Sequence, residues 1–146
     1  MLGIRTDADA LTRIEFLPGD TTHIAPKTPL ARRVIEQLRA YLDDPHFVFD
    51  LPLALRGSAH AERVWRAMQQ IPAGAVRTYG DIAAEINSSP RAVGQACGAN
   101  PIPLVIPCHR VVSRAGLGGF MHRRDSGALN IKAWLLAHEE RRLHAA

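Results

Sequence analysis

Residues 106–112 read Ile-Pro-Cys-His-Arg-Val-Val, and no other stretch of the chain says as much about its architecture and chemistry. Cys108 supplies a nucleophile, the adjacent His109 is a candidate base, and Arg110 adds positive charge. A cysteine attacks as its thiolate, so catalysis here needs a group that lowers the thiol pKa or removes its proton. A Cys-His pair alone is equally compatible with a buried structural cysteine, so the surrounding sequence has to decide between the two.

The length and the cysteine content narrow the class of protein. The 146 residues suffice for one full core, or for two small lobes that share an interface. The cysteines are Cys97 and Cys108, in a span predicted to be helix followed by loop, and a disulfide between them stays open at this point. The sequence contains neither a signal peptide nor a long apolar run. We therefore expect a cytoplasmic protein without membrane association, in a reducing compartment that keeps both thiols free.

The charge is unevenly distributed along the chain. Residues 1–58 carry a net charge of −1 and residues 59–146 a net charge of +5, and 16 of the 18 basic residues are arginine. Arginine binds phosphate groups with a bidentate fork, so the basic second part favours a nucleic-acid partner. An arginine-rich codon supply that merely produces a solvated basic surface explains the same composition equally well.

The first part of the chain has the pattern of a small lobe of strands and one helix. Residues 11–17 alternate between apolar and polar, which predicts a half-buried strand, and residues 3–5 supply a partner strand. Residues 47–49 are a further strand candidate, which residues 51–53 continue at an edge of the sheet because Pro52 suits an edge. Thr28-Pro29 begins a helix. The apolar face of that helix is predicted to consist of Leu30, Val34, Leu38 and Leu42.

The second part of the chain, after a plausible boundary at Gly57-Ser58, is predicted to be mainly helical. Residues 59–70 form one helix, and Thr78 begins a short helix with the spacing of a capping box. A turn then leads to a second helix over residues 91–99, which makes a helix-turn-helix candidate. The last helix runs from about Asp125 to Arg142. Its apolar side is predicted to comprise Leu129, Trp134, Leu135 and Leu136.

The predicted helix at residues 91–99 is unusual for a reader of the DNA major groove, because it carries few long side chains. A helix with so little side-chain bulk approaches another surface closely. That surface is either a neighbouring part of the protein or a narrow groove of DNA into which Arg91 reaches. Cys97 fits a packing role within this helix. The small residues are Ala92, Gly94, Ala96, Gly98 and Ala99.

Together these features resemble the O6-alkylguanine-DNA alkyltransferases, also called methylated-DNA–protein-cysteine methyltransferases. The resemblance covers about residues 59–142 and depends most on the Pro-Cys-His-Arg-Val run. It also includes Tyr79, residues 91–94, Asn100-Pro101 and residues 134–139. The N-terminal part matches the family by layout more than by motif.

The resemblance implies an α+β fold with two domains. Residues 1–57 would form a small N-terminal α/β lobe, a truncated version of a ribonuclease-H-like domain. Residues 58–146 would form a mainly helical, winged helix-turn-helix-like DNA-binding domain that carries the catalytic cysteine. The family works without a cofactor, and the zinc site of some members needs cysteines that this N-terminal lobe lacks. We therefore expect no metal, no cofactor and a monomer.

The resemblance also implies a direct repair reaction on double-stranded DNA that contains O6-alkylguanine. Cys108 would accept the alkyl group irreversibly, in a single turnover, after the damaged base has rotated out of the duplex. His109 would take the thiol proton through a water molecule, and Glu139 would orient His109 and stabilise its charged form. Asn100 would hold the turn that brings the helix at 91–99 to the cysteine.

The same resemblance assigns the DNA contacts. The helix at residues 91–99 would lie in the minor groove, with Arg91 in the place that the rotated base vacates. Tyr79 would guide the rotation, and Trp134 would pack behind the base pocket. The remaining residues assigned to DNA or base binding are Ala92, Gly94, Gly98, Arg110, Val111, Phe120 and Met121.

The loop at residues 118–127 departs from the family pattern. It is longer and more basic than the usual loop that closes over the flipped base. Phe120 retains a ring that can stack on a base, but Met121 stands where a serine would donate a hydrogen bond to the guanine oxygen. Arg123 and Arg124 either contact phosphates or are solvated. We expect an altered rate or an altered preference among alkyl groups.

Two other functions remain alternatives at this stage. One is a non-catalytic alkyltransferase-like protein that binds the lesion and recruits other repair factors; such proteins usually replace the cysteine that is present here. The other is a helix-turn-helix transcription regulator. The few long side chains at residues 91–99 count against the regulator, because base edges in the major groove are read by long polar side chains.

Overall fold

The computed structural model describes residues 1–122 and 126–140 of this mixed α/β protein. Strands β1 (Leu2–Thr6) and β2 (Leu11–Phe16) form an antiparallel hairpin, and helix α1 (Pro29–Asp43) packs against it. The side chain of the residue before α1 accepts a hydrogen bond from the third residue of the helix, which fixes its start. The hairpin and the start of α1 confirm the predictions for this part. The helix buries Ala31, Val34, Leu38 and Tyr41.

The predicted strand at residues 47–49 is wrong. Apart from a single bridge between Leu53 and Leu11, residues 47–53 pair with no strand in the described part of the chain. The side chain of Gln37 explains the difference, because its amide both donates to the carbonyl of Asp50 and accepts from the amide of Asp50, each at 2.9 Å. A helix side chain thereby uses the backbone groups that a strand ladder would need.

The predicted apolar face of α1 is also partly wrong. Leu42 is 52% exposed, and Tyr41 is buried in its place at 1% exposure. Val34, Leu38 and Tyr41 follow one another at intervals of four and three residues, which is the spacing of one helix face. This rotation of the buried face brings the Tyr41 hydroxyl into the interior.

The second part of the chain is mainly helical, as predicted. In chain order its elements are α2 (Ala59–Gln69), β3 (Arg77–Thr78), α3 (Tyr79–Ile86), α4 (Pro90–Gly98), a single 3₁₀ turn (Cys108–Arg110), β4 (Val111–Val112) and α5 (Ser126–Glu140). Strands β3 and β4 pair in parallel. The predicted end of the last helix at Arg142 lies outside the described residues.

Local capping fixes the ends of α3 and the start of α4, and so the short turn between them. Thr78 and Asp81 exchange side-chain hydrogen bonds with each other's backbone amides, which is the predicted capping box. Asn87 ends α3 in the left-handed conformation, with φ of 57°. Ser89 then caps α4 and Pro90 occupies its first turn. The two helices therefore lie within one residue of their predicted bounds.

One hydrophobic core joins the two parts of the chain. The amide of Ile14 in β2 donates to the carbonyl of Pro101 at 3.0 Å, and the Phe16 ring lies 5.6 Å from the Phe120 ring. Trp65 in α2 donates its indole N–H to the carbonyl of Ala96 at 2.9 Å, which ties α2 to α4. Among the described residues no helix combines the length and the hydropathy needed to cross a membrane.

Candidate active site

Asn100 closes the loop that leads from α4 to the cysteine. Its buried side chain donates to the carbonyl of Ile106 at 2.8 Å and accepts from the amide of Ile102 at 2.9 Å. Leu104, between them, takes a left-handed conformation with φ of 75°. These two hydrogen bonds hold the loop so that the chain returns to the end of α4, where Cys108 begins the 3₁₀ turn.

The Cys108 thiol is buried at 4% exposure and protonated in the resting protein. Burial raises the pKa of Cys108 to about 11, although a hydrogen bond with Asn100 and the charge of Lys132 act in the opposite direction. Its Sγ lies 3.9 Å from Sδ of Met121. A thiol in this state needs a nearby base before it can attack.

His109 has one nitrogen fixed and the other without a partner. Its Nε2 lies 2.7 Å from Oε2 of Glu139, and because the carboxylate only accepts, Nε2 carries the hydrogen. Nδ1 is buried and hydrogen-bonds to no group in the described part of the chain. Burial lowers the pKa of His109, so the neutral ring presents an unprotonated Nδ1. That nitrogen is the natural acceptor for a thiol proton.

Glu139 binds His109 and also accepts hydrogen bonds from two other residues, Arg110 and Tyr41. Oε1 accepts from Nε of Arg110 at 2.8 Å; Oε2 accepts from Nη2 of Arg110 at 3.0 Å and from the Tyr41 hydroxyl at 2.6 Å. Burial acts to raise the pKa of Glu139, but the hydrogen bonds from His109, Arg110 and Tyr41 outweigh it and lower the value to about 2. The carboxylate is therefore charged at any physiological pH.

The position of Arg110 does not fit the predicted DNA contact. Only 11% of its side chain is exposed, and besides the two bonds to Glu139 its Nη1 donates to the carbonyl of Ile71 at 2.6 Å. A guanidinium bound on all sides within the protein is not available to a phosphate. Arg110 instead neutralises and orients Glu139.

A cavity of about 610 Å³ opens beside Cys108, large enough for a nucleotide base. It lies between the start of α3, one side of α4 and the loop after residue 118. Ala92 and Val111 lie outside its wall, and the Val111 side chain is fully buried in the core. Of the residues predicted to bind DNA or substrate, the cavity brings together Tyr79, Arg91, Gly94, Gly98, Cys108, Phe120 and Met121.

Comparison with known proteins places this site in a family. The model of the 6-O-methylguanine DNA methyltransferase DNA-binding domain matches residues 59–141. The chain belongs to the 6-O-methylguanine DNA methyltransferase family. The methylated-DNA–protein-cysteine methyltransferase of Mycolicibacterium paratuberculosis is 48% identical over 110 residues, which are 73% of this chain and 64% of that protein. The chain thus spans just under two thirds of the length of that methyltransferase.

Solved structures of methyltransferases agree with this assignment over nearly the whole chain. The Mycobacterium tuberculosis O6-methylguanine methyltransferase has a TM-score of 0.83 at 34% identity, covering 99% of this chain and 89% of its own. The Mycobacterium tuberculosis OGT in complex with DNA has a TM-score of 0.78 at 36% identity, covering 95% of this chain and 86% of its own. These likenesses support DNA binding by this methyltransferase family member.

Lys132 is a residue of this site that the sequence analysis missed. It is fully buried, and its ammonium donates to the carbonyls of Val111 at 2.6 Å, Leu117 and Gly119 at 3.0 Å. It lies 5.9 Å from the centre of the Tyr79 ring. Burial lowers the pKa of Lys132 to about 8. The sequence did contain a signal for its burial, because Lys132 lies on the same helix face as the buried Ala128, Leu135 and Glu139.

Trp134 does not pack behind the pocket, so that prediction is wrong. It is 54% exposed and stacks on the His138 ring, with 5.0 Å between centroids. Leu135 points inward instead, because the buried face of α5 follows the spacing of Lys132 and Glu139. Cys97 is a free, buried cysteine whose thiol contacts Sδ of Met68 at 3.5 Å, which fits its predicted packing role.

Residues 119–122, in the described part of the loop that departs from the family pattern, line the cavity. Phe120 is buried against Phe16, while Met121 and His122 both adopt left-handed conformations, with φ of 53° and 63°. Non-glycine residues rarely adopt this conformation, and two in succession are strained. Gly118 has φ of 73°, and a Cβ there would lie 2.9 Å from the Tyr79 hydroxyl oxygen. The predicted contacts of Arg123 and Arg124 lie outside the described residues.

Proposed function

We propose that this chain repairs DNA by transferring the alkyl group of O6-alkylguanine irreversibly to its own Cys108. The observation that carries the proposal is the arrangement around His109. One nitrogen is fixed on Glu139 at 2.7 Å, and the other is buried with no hydrogen-bond partner among residues 1–122 and 126–140. The preceding residue in the chain is Cys108, whose thiol lines a base-sized cavity. This is the nucleophile, base and orienting carboxylate of a catalytic triad, with sulfur in place of oxygen.

In the proposed reaction Cys108 attacks the alkyl carbon of a base held in the cavity. The thiol proton passes through one water molecule to Nδ1 of His109, and the Sγ–C bond forms as the C–O6 bond breaks. The electron pair of the broken bond stays on the guanine, which takes up a proton to become the normal base. A thioether has no leaving group that this site activates, so each molecule reacts once.

The imidazolium that forms on His109 is stabilised by the charged Glu139. Because Arg110 and Tyr41 fix that carboxylate in the interior, it needs no reorganisation as the charge develops. Lys132 contributes in two ways. Its positive charge favours the thiolate of Cys108, and its three carbonyl contacts hold β4 and the loop that carries Phe120.

We assign the DNA interface to α4 and the start of α3. Small residues on α4 allow close approach to the minor groove, and the exposed Arg91 at its start enters the stack as the base leaves. Tyr79, at the cavity wall, guides the rotating nucleotide. Minor-groove readout is degenerate, so binding to undamaged duplex shows little sequence preference. In this proposal the protein binds as a monomer.

The proposal also includes the finer organisation of the fold. The pair α3–α4 acts as a winged helix-turn-helix-like unit, residues 58–146 form the catalytic domain, and residues 1–57 form a small ribonuclease-H-like lobe. A cytoplasmic location and a reaction without metal or cofactor complete it. Among the described residues no group of three or more His, Cys, Asp or Glu side chains is placed to hold a metal ion.

The test is the intact mass of the protein after incubation with duplex DNA that contains O6-methylguanine. The wild type gains the mass of one methyl group, and Cys108→Ala gains none. Cys97→Ala is the matched control, since it removes the other free thiol and still gains the methyl group. Tight lesion binding by the wild type without a mass gain would overturn the proposal and favour a non-catalytic lesion-binding protein.

A further inference from the structure

Tyr41 belongs to α1, far in sequence from the cysteine loop, yet it touches the catalytic network directly. Its hydroxyl lies 2.6 Å from Oε2 of Glu139, and the side chain is buried at 1% exposure. The same oxygen accepts from Nε2 of His109 at 2.7 Å. With Nη2 of Arg110 at 3.0 Å, three donors therefore bind one carboxylate oxygen, and Tyr41 is the one that comes from the N-terminal part of the chain.

We propose that Tyr41 is a positioning residue for the alkyl transfer: its hydroxyl competes with His109 for Oε2 of Glu139 and so limits how strongly the carboxylate holds the imidazolium. The inference rests on the proposed roles of Cys108 and His109. The consequence is that His109 stays neutral, and able to accept the thiol proton, to a lower pH than Glu139 alone would allow.

The competition follows from hydrogen-bond chemistry. A carboxylate oxygen that already accepts one strong hydrogen bond offers less negative charge to a second donor. Burial first, then the hydrogen bond to Glu139 and the charge of that carboxylate, raise the pKa of Tyr41 well above its ordinary value. The phenol therefore stays protonated and donates throughout the pH range in which His109 titrates.

The hydroxyl of Tyr41 is held in place by contacts on several sides of the residue. The ring lies 5.6 Å from the Phe49 ring and 5.2 Å, edge to face, from the His138 ring. The His138 Nε2 is 2.9 Å from the carbonyl oxygen of Tyr41. A side chain fixed this firmly delivers its hydrogen bond at little entropic cost.

Several other titratable or charged groups surround the Tyr41–Glu139–His109 contact, and the test has to separate them. Cys108 and Arg110 flank His109 on the 3₁₀ turn, and Lys132 and His138 approach from α5. Arg110 and Lys132 both act to lower the pKa of His109. His138 touches Tyr41 itself, so a change at Tyr41 has to be compared with a change at His138.

The experiment compares wild type with Tyr41→Phe, which removes the hydroxyl and keeps the ring. Two quantities are measured against pH: the rate of methyl transfer and the imidazole signal of His109 by NMR. In Tyr41→Phe we expect the acid limb of the rate profile and the His109 midpoint to move to higher pH together, by about half to one pH unit. The sign follows because a freed Oε2 holds the imidazolium more tightly.

Two control variants isolate the hydroxyl. Phe49→Leu loosens the packing around the same ring, so it lowers the melting temperature without moving the midpoint. His138→Gln removes the neighbouring titratable ring and likewise leaves the midpoint of His109 in place. Should Tyr41→Phe fold poorly, site-specific 3-fluorotyrosine at position 41 provides a stronger donor, and the midpoint then moves to lower pH.

An unchanged midpoint in Tyr41→Phe, or the same shift in Phe49→Leu, would overturn the inference. The two readouts also separate this inference from the proposed function. If wild type accepts no methyl group, the proposed function fails, while the NMR midpoint still shows whether Tyr41 controls the protonation of His109.

Discussion

At the scale of single residues, Glu139 is the group on which both the stability and the proposed chemistry depend. It is a charged side chain at 1% exposure, tolerated there because Arg110, His109 and Tyr41 all donate to it. A buried charge that loses its partners is strongly destabilising, since its desolvation is no longer offset.

Acid should therefore destabilise the protein through Glu139. Its pKa is about 2 in the folded protein and 4.5 in an unfolded chain, so its contribution is complete above pH 4.5 and is lost as the pH falls towards 2. The loss amounts to about 3 kcal/mol. Urea unfolding at pH 7, 4 and 3 measures it.

Two variants test the assignment of this acid sensitivity. Glu139→Gln should be less stable than wild type at pH 7 by about 3–5 kcal/mol and should lose less between pH 4 and 3. Glu140→Gln alters the exposed neighbouring carboxylate and should behave as wild type. An unchanged acid response in Glu139→Gln would show that another group carries it.

Met121 gives a second prediction at this scale, because its sulfur lies 3.9 Å from the Cys108 sulfur and occupies space at the reacting atom. Met121→Ala should accelerate transfer of a benzyl group relative to a methyl group by about tenfold, since the shorter side chain enlarges the cavity. Competing rates on DNA carrying O6-benzylguanine and O6-methylguanine measure the ratio. An unchanged ratio would mean that Met121 does not limit the alkyl group.

The sequence predicted which residues meet at the site better than it predicted their supporting contacts. Cys108, His109 and Glu139 were assigned through a resemblance that depends on contiguous motifs. Arg110 belongs to the same run, and the resemblance assigned it to DNA binding, because sequence does not reveal that its partner is a carboxylate from α5. Lys132 was missed for the same reason, since its three partners are backbone carbonyls of distant segments.

At the scale of elements, two glycines of α4 are expected to affect the stability of the protein and its proposed DNA binding differently. A Cβ at Gly94 would have only ordinary contacts with the Tyr79 ring, the nearest at 3.9 Å, whereas a Cβ at Gly98 would lie 2.3 Å from Nδ1 of His122. Glycine within a helix costs about 0.5–1 kcal/mol relative to alanine. Both glycines therefore weaken the helix, and only at Gly98 would an added Cβ force a neighbouring side chain, the exposed His122, to move.

This contrast predicts opposite effects of two alanine substitutions. Gly94→Ala should raise the free energy of unfolding by about 0.5–1 kcal/mol, because helix propensity improves without a clash. It should also weaken duplex DNA binding about tenfold, because the new methyl group enters the proposed groove interface. Gly98→Ala should displace His122 and gain no stability. Chemical unfolding and fluorescence-anisotropy titration measure the two effects. Full DNA affinity in a stabilised Gly94→Ala would contradict the placement of α4 in the minor groove.

Element prediction succeeded where local signals were complete. The caps at Thr28, Thr78 and Ser89 satisfy orphan amides within four residues, so α1, α3 and α4 could be placed from sequence alone. The strand predicted at residues 47–49 does not form because the Gln37 side chain of α1 bonds to the backbone carbonyl and amide of Asp50. Such competition depends on tertiary arrangement and leaves no local pattern.

At the scale of the whole molecule, the N-terminal part supports the site from two directions. Phe16 packs on Phe120, and Tyr41 binds Glu139. The hydrogen bond from Ile14 to Pro101 adds a backbone connection at the start of the cysteine loop. The division of the chain at residues 57 and 58 stays a prediction, but the core that these contacts share makes independent unfolding of either part unfavourable.

Native-state hydrogen exchange should therefore report one cooperative unit. The amide of Ile14, bonded to Pro101, and the amide of Val93 in α4 should exchange with the same free energy, equal to that of global unfolding. The loop amide of Gly116 at a solvent-exposed turn should exchange far faster and serves as the internal control. Exchange of Ile14 at several kcal/mol below Val93 would show that the N-terminal part opens alone.

Single-turnover repair requires that one cysteine of this protein takes the alkyl group and is consumed. The most direct measurement titrates duplex DNA carrying ¹³C-labelled O6-methylguanine against a fixed amount of protein, counting both restored guanines and labelled peptides. We predict saturation at one restored guanine per protein molecule, with all label on the peptide containing Cys108. Restoration of many guanines per molecule, or label on any other residue, would contradict the account.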